Sequence, residues 1–210
     1  MRWPSLKREI KASKQILVEG RTPEIFFREW IQALGLTDQI EVRDFGSLSD
    51  LTAYLRVFTN LRDFRERVTS LAIIRDAEAN SAAAAFESVC ASLNAAALDH
   101  PPRLAAFSTG TPRIGIYLPP DCPHCGMLET LCWKVLQDDP KLAAHLECVE
   151  SYLACLRRSA ILPNETKTKV WSFLAAQGRF DPLVGRAAQA KIWDWRGPAF
   201  AHLTTFLTGI

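Results

Sequence analysis

The sequence predicts an α/β protein: a mainly parallel sheet with helices on both faces, followed by a helical C-terminal extension. Three observations carry that expectation. Short apolar runs alternate with segments of helical periodicity through the first half of the chain. Glycine and proline punctuate the joins, and beyond about Pro120 the strand-like runs stop. With 210 residues, 48% hydrophobic and 23% charged, the chain can bury one substantial core, or one core with a helical appendage.

The elements follow in order. "QILVEG" is a short apolar run closed by glycine, and "TPEIFFREWIQALGL" is a helix with Thr22 as its expected N-cap, Pro23 at its first position and Ile25, Phe26, Trp30, Ala33 and Leu34 on one face. "QIEVRDFG" reads as a second strand and "SLSDLTAYLRVFTNL" as a second helix, with Leu51, Leu55 and Phe58 inward. "VTSLAIIRD" and "NSAAAAFESVCASLNAAAL" are the third strand and helix. Further strands are expected at "RLAAFS" and "RIGIYLP", separated by the breakers "HPP" and "TGTP". The remainder reads as helices at "GMLETLCWKVLQDD", "PKLAAHLECVESYLACLRRSAIL", "ETKTKVWSFLAAQ", "DPLVGRAAQAKIWDW" and "PAFAHLTTFLTGI". The expected organisation is a lead at 1–13, an α/β core at 14–120 and a helical extension packed on it at 121–210.

Twenty-five basic and 23 acidic residues leave a net charge of +2, so no global excess advertises a nucleic-acid or membrane surface. The start, "MRWPSLKREIKASK", lacks the apolar stretch of a secretory signal, and no apolar run approaches the roughly 18 to 20 residues of a membrane span. A cytoplasmic protein with no membrane partner is expected, its oligomeric state unspecified. The six cysteines are then reduced thiols or metal ligands rather than a disulfide framework.

In open parallel sheets, ligands bind beyond the carboxyl ends of strands. Three acids fall there: Glu19 after "QILV", and Asp76 and Glu78 after "LAIIR". Residues two apart past a strand end point the same way, so Asp76 and Glu78 can converge, and a neighbouring strand would bring Glu19 beside them. Crowded carboxylates with no histidine nearby suit Mg²⁺ or Mn²⁺. The alternative is a set of solvated turn residues.

"LVEGRTPEIFF", followed some fifty residues later by "LAIIRDAEAN", resembles the Toprim domain of topoisomerases, primases and overcoming-lysogenization-defect nucleases, which has a Glu-Gly after its first strand and an Asp-x-Asp after a later one. A fuller resemblance, running through "RIGIYLPPDCPHCGMLETL" and "ETKTKVWSFLA" to the end, is to stand-alone bacterial Toprim-like proteins of unassigned function. It implies Glu19, Asp76 and Glu78 as metal ligands, with Asp121, Glu129 and Lys167 as second-tier site residues. Glu78 departs from the pattern, which has aspartate there; the extra methylene moves the carboxylate by about a bond length.

Such a site suits phosphodiester chemistry on DNA or RNA. Glu19 is the candidate general base or second-metal ligand, and Lys167 or Lys169 would neutralise charge on the scissile phosphate. The expected activity is a Mg²⁺-dependent Toprim-like nuclease. Its alternative is a catalytically silent module that binds a nucleotide or a partner protein such as an ATPase, and a phosphoacceptor of the receiver type is a third. Cys122 and Cys125 have the spacing of half a zinc site, with His124 and Cys132 close by, but no matching second pair follows, so Zn²⁺ is the less favoured metal. Cys148 and Cys155 are seven apart on an expected helix, a spacing that suits core packing at least as well as a metal pair. Trp171, Trp193 and Trp195 suit core closure better than base stacking.

Overall fold

Four apolar runs become the sheet because each is short, β-branched or aromatic-rich, and buried on both faces. The computed structural model describes residues 9–77, 80–124, 126–159 and 161–210. Strands β1 (Lys14–Val18), β2 (Ile40–Asp44), β3 (Ser70–Ile74) and β4 (Arg113–Tyr117) form a parallel sheet in the order β2-β1-β3-β4. Side chains alternate across it. Ile16, Val18, Val42, Ala72, Ile74 and Tyr117 face one layer of helices, and Leu17, Leu71, Ile73, Ile114 and Ile116 face the other.

The second layer consists of α2 (Leu51–Thr59), α3 (Arg62–Arg67) and α4 (Ala82–Ala95). A 3₁₀ turn at Leu48–Asp50 leads into α2, and Ser81 caps α4 by accepting from the Ala84 amide at 3.1 Å. The first layer is α1 (Arg21–Ala33) together with the helices after Pro120: α5 (Leu128–Gln137), α6 (Ala143–Leu156), α7 (Glu165–Ala175), α8 (Val184–Gln189) and α9 (Ala201–Thr208). An aromatic cluster joins them to α1. Trp30 stacks on Trp195 at 5.2 Å between centroids and meets Phe200 at 4.4 Å, while Phe26 meets Trp195 edge-on at 5.1 Å. Trp193 is buried and donates from Nε1 to the Val184 carbonyl at 3.0 Å. Among the described residues, no helix is long and apolar enough to cross a membrane.

Several expectations change. The N-cap of α1 is Gly20, at φ 88°, and not Thr22, which lies inside the first turn with Pro23. The left-handed backbone suits glycine, and proline is tolerated in the first turn because its missing amide has no partner to lose. "RLAAFS" is not a strand: Ala105 has φ 56°, which breaks extension, and only Phe107 forms an isolated antiparallel bridge, to Gly115. The expected long helix at "DPLVGRAAQAKIWDW" is the short α8, followed by an irregular segment that seats the tryptophans. Helix α3 was not anticipated. Cys148 and Cys155 are exposed rather than packed in the core, whereas Cys90, Cys122 and Cys132 are buried thiols.

The strand order reverses at β1. The β1–α1–β2 unit runs to one side and the β3–α4–β4 unit to the other, so a crevice opens between the ends of β1 and β3. Helix α8 walls it from above. Gly185 permits that approach: a Cβ there would lie 2.5 Å from the Thr22 carbonyl oxygen in the first turn of α1. Gly185→Ala must therefore push α8 off α1, at about 1–3 kcal/mol. A melting point lowered by roughly 2–10 °C is expected by calorimetry; an unchanged one would show that α8 does not rest on this contact.

Candidate functional site

Beyond Val18 and Ile74, which pair in register, the chain leaves the sheet with charged residues on both strands. Glu19, Arg75 and Asp76 line a cavity of about 300 Å³, together with Glu129 from the first turn of α5 and Lys167 from the first turn of α7. Thr22, Leu183 and Val184 form its wall, and Trp171, 42% exposed, stands at its rim.

Backbone amides hold the acids in place. Glu19 Oε1 accepts from the Leu48 amide at 2.9 Å, and Asp44 Oδ1 accepts from the amides of Gly20 and Gly46 at 2.8 and 2.7 Å. These bonds tie the turn after β1 to the turn after β2. Asp76 Oδ1 accepts from the Leu128 amide at 2.8 Å, so the end of β3 caps the start of α5 and brings Glu129 over the crevice. Asn164 caps α7 by accepting from the Lys167 amide at 2.9 Å.

The electrostatics are those of a crowded, partly dry acid cluster. Burial is the main cause that pushes the Asp76 carboxyl up to about 7, and the charges of Glu129 and Glu19 add to it. The Leu128 amide and Lys167 pull the other way without cancelling it. Burial also raises the Glu129 carboxyl, opposed by its own backbone amide and by Lys167.

Four charged side chains are buried among the described residues: Glu24, Arg43, Arg75 and Glu129. Glu24 is paired with Arg21 and Arg28, and Arg43 with Glu41 at 2.8 Å and with Gln15 Oε1 at 2.8 Å. Arg75 and Glu129 make no ion pair among the described residues, and both line the cavity. Arg75 is 4% exposed; its Nε donates to the Asp76 carbonyl at 2.9 Å, but its Nη1 is buried without a hydrogen-bond partner. A buried charge left unpaired costs several kcal/mol.

The structure thus brings together Glu19, Asp76, Glu129 and Lys167. It places Asp121 elsewhere, bonded to His124 at 3.0 Å and Lys134 at 3.5 Å, which outweigh burial and hold its carboxyl below the usual range. Lys169 pairs with Glu150 at 2.7 Å and Glu165 at 3.4 Å instead of reaching the cavity. Glu78 and Cys125 lie outside the described residues. Burial pushes the Cys122 thiol up to about 11 and raises Cys132 well above its ordinary value. No group of three His, Cys, Asp or Glu side chains able to hold a metal ion occurs among the described residues. Arg75 escaped the sequence reading; its only signal was a cation between an apolar strand and an acid.

The Asp76 shift has a measurable sign. With a folded pKa near 7 against about 3.9 unfolded, the native state keeps a proton that the unfolded chain releases, so stability falls as pH rises from about 4 to 7. In chelator, Asp76→Asn should stabilise the protein at pH 8 by on the order of 2 kcal/mol, and the gain should vanish towards pH 4. Melting curves across that range test this; a gain independent of pH would contradict it.

A family model described as a protein of unknown function (DUF3226) matches residues 13–210. No curated protein and no solved structure matches the chain.

Proposed function

The chain belongs to the DUF3226 family of proteins of unknown function, and from the acid-lined cavity and the Toprim resemblance of its sequence we propose that it is a Mg²⁺-dependent, Toprim-like phosphoryl-transfer enzyme, a nuclease acting on DNA or RNA. One observation carries the reading: Glu19, Asp76, Glu129 and Lys167 converge on a single cavity at the point where the strand order reverses.

The donor set suits the ion. Glu19 and Asp76 offer hard carboxylate oxygens, and no histidine lines the cavity among its described residues. They supply part of a coordination sphere, which is how Mg²⁺ is usually held: by one or two carboxylates, with water and substrate phosphate completing it. When bound, Mg²⁺ or Mn²⁺ would polarise a phosphoryl oxygen and acidify water. The chain's own groups do the rest. The Leu48 amide fixes Glu19 in position to orient or deprotonate water. Glu129, with its raised pKa, can hold a proton for the leaving oxygen. Lys167 offsets charge accumulating on the phosphate.

A second reading, a catalytically silent module that binds a nucleotide or an ATPase partner, draws on the balanced charge of +2, which mildly disfavours unaided tight binding of duplex DNA.

Two measurements separate them. Mg²⁺ or Mn²⁺ should raise the melting point of the wild type and do so much less for Glu19→Gln and Asp76→Ala. Cleavage of plasmid, single-stranded DNA or RNA should fall roughly 100-fold or more in both variants. Cleavage that survives both substitutions would remove the site from the chemistry. Metal-dependent stabilisation with no cleavage of any substrate would select the binding module.

A further inference from the structure

Trp171 does not take the core-closing role expected of it. Trp30, Trp133 and Trp193 are buried, and Trp195 lies in the aromatic cluster on α1, whereas Trp171 is 42% exposed at the rim of the cavity. Leu183, 37% exposed, comes to the same mouth from the turn before α8. Five large apolar side chains are exposed among the described residues, and two of them border this one charged cavity. A single exposed apolar residue is ordinary; a pair at the mouth of a charged cavity marks a binding surface.

The register along α7 narrows what that surface can hold. Lys167 and Trp171 are four residues apart in the helix, so they share one face, separated by about 6 Å along its axis. The charge of Lys167 acts on both Asp76 and Glu129, which places it beside the acids. A phosphate held there brings its own nucleoside to the level of Trp171. The cavity, at about 300 Å³, is at the small end of ligand clefts, so it takes the phosphate and leaves the base at the mouth. There the indole offers a flat face on which any base can stack. In a duplex the bases are paired and stacked on one another, and a protein reaches only their edges. A base that meets Trp171 face to face is therefore unpaired.

We propose that Trp171, with Leu183, clamps the unpaired base next to a phosphate held at Lys167, which makes single-stranded nucleic acid the substrate class of this site. Trp171 is then a specificity-determining residue: it selects an open strand, while the acids and Lys167 act on the phosphate. The proposal rests on the phosphoryl-transfer reading for the chemistry at that phosphate, but not for the binding.

The test is fluorescence anisotropy of end-labelled strands titrated with the full chain, in EDTA and in Ca²⁺, a hard cation that also takes carboxylate oxygens. The probes are a deoxyadenosine decamer, an abasic strand of the same length and a blunt duplex of the same length. The decamer should bind roughly tenfold more tightly than the other two. Trp171→Ala should remove most of that advantage and leave the abasic strand unchanged. Trp171→Phe, which keeps an aromatic face, should restore it, whereas Trp171→Leu, which keeps apolar bulk alone, should not. Leu183→Ala should weaken the decamer severalfold. A tryptophan that only closed the core would, on truncation, lower the melting point and weaken all three probes alike. Abasic or duplex binding as tight as that of the decamer, a base preference that survives Trp171→Ala, or no binding in either condition overturns the proposal. Cleavage is scored separately through Glu19→Gln and Asp76→Ala. Base-dependent binding without cleavage removes the enzyme and keeps the clamp, and cleavage without base-dependent binding does the reverse.

Discussion

The seating of the C-terminal helices on α1 is the interaction from which the rest of the site derives. Trp30, Phe26, Trp195 and Phe200 form a contiguous aromatic cluster between the two, and Trp193 is locked to the Val184 carbonyl. Fully burying a large side chain is worth about 1.5–3 kcal/mol, so several together make a firm hinge between layers. That contact carries Val184 and Leu183 to the mouth of the crevice and draws α5 and α7 over the strand ends. Without this layer Asp76 would be a solvated turn residue. Burial is the first cause of its raised pKa, and burial is what the helices provide.

The hydrogen bond from the Leu128 amide to Asp76 couples that layer to the sheet. It does two jobs with opposite electrostatic sense. It favours the Asp76 anion directly, and it fixes the first turn of α5 so that Glu129, one residue later, crowds the same space and disfavours that anion. The second effect, added to burial, is the larger. Built this way, the end of β3 is biased against the charge of Asp76.

Much of this was legible in the chain, and the limits have physical causes. Glu19 and Asp76 could be read because acids directly after short apolar runs must lie at strand ends, and a parallel sheet aligns those ends. The four strands were visible for the same reason, whereas "RLAAFS" misled: its composition is strand-like, but the positive φ at Ala105 is a backbone fact no side chain announces. Glu129 and Lys167 reached the site only through the family resemblance, since their placement depends on how helices fifty and ninety residues downstream dock. The exposure of Cys148 and Cys155 shows the same limit, because helical spacing states that two residues share a face but not which way the face looks.

The residues that line the cavity carry charge of both signs. Glu19, Asp76 and Glu129 present negative charge under partial desolvation, while Arg75 and Lys167 present positive charge, yet Arg75 and Glu129 do not pair with each other among the described residues. Their separation makes sense if each half awaits a different part of one ligand. A divalent ion bound to a phosphate is such a ligand: its cation would answer the carboxylates and its oxygens the lysine. On that reading metal and phosphate binding reinforce each other, because each lowers the electrostatic cost the other meets. In the sequence "IIRDA", at the end of a buried strand, Asp76 is then the residue that commits this strand end to the site.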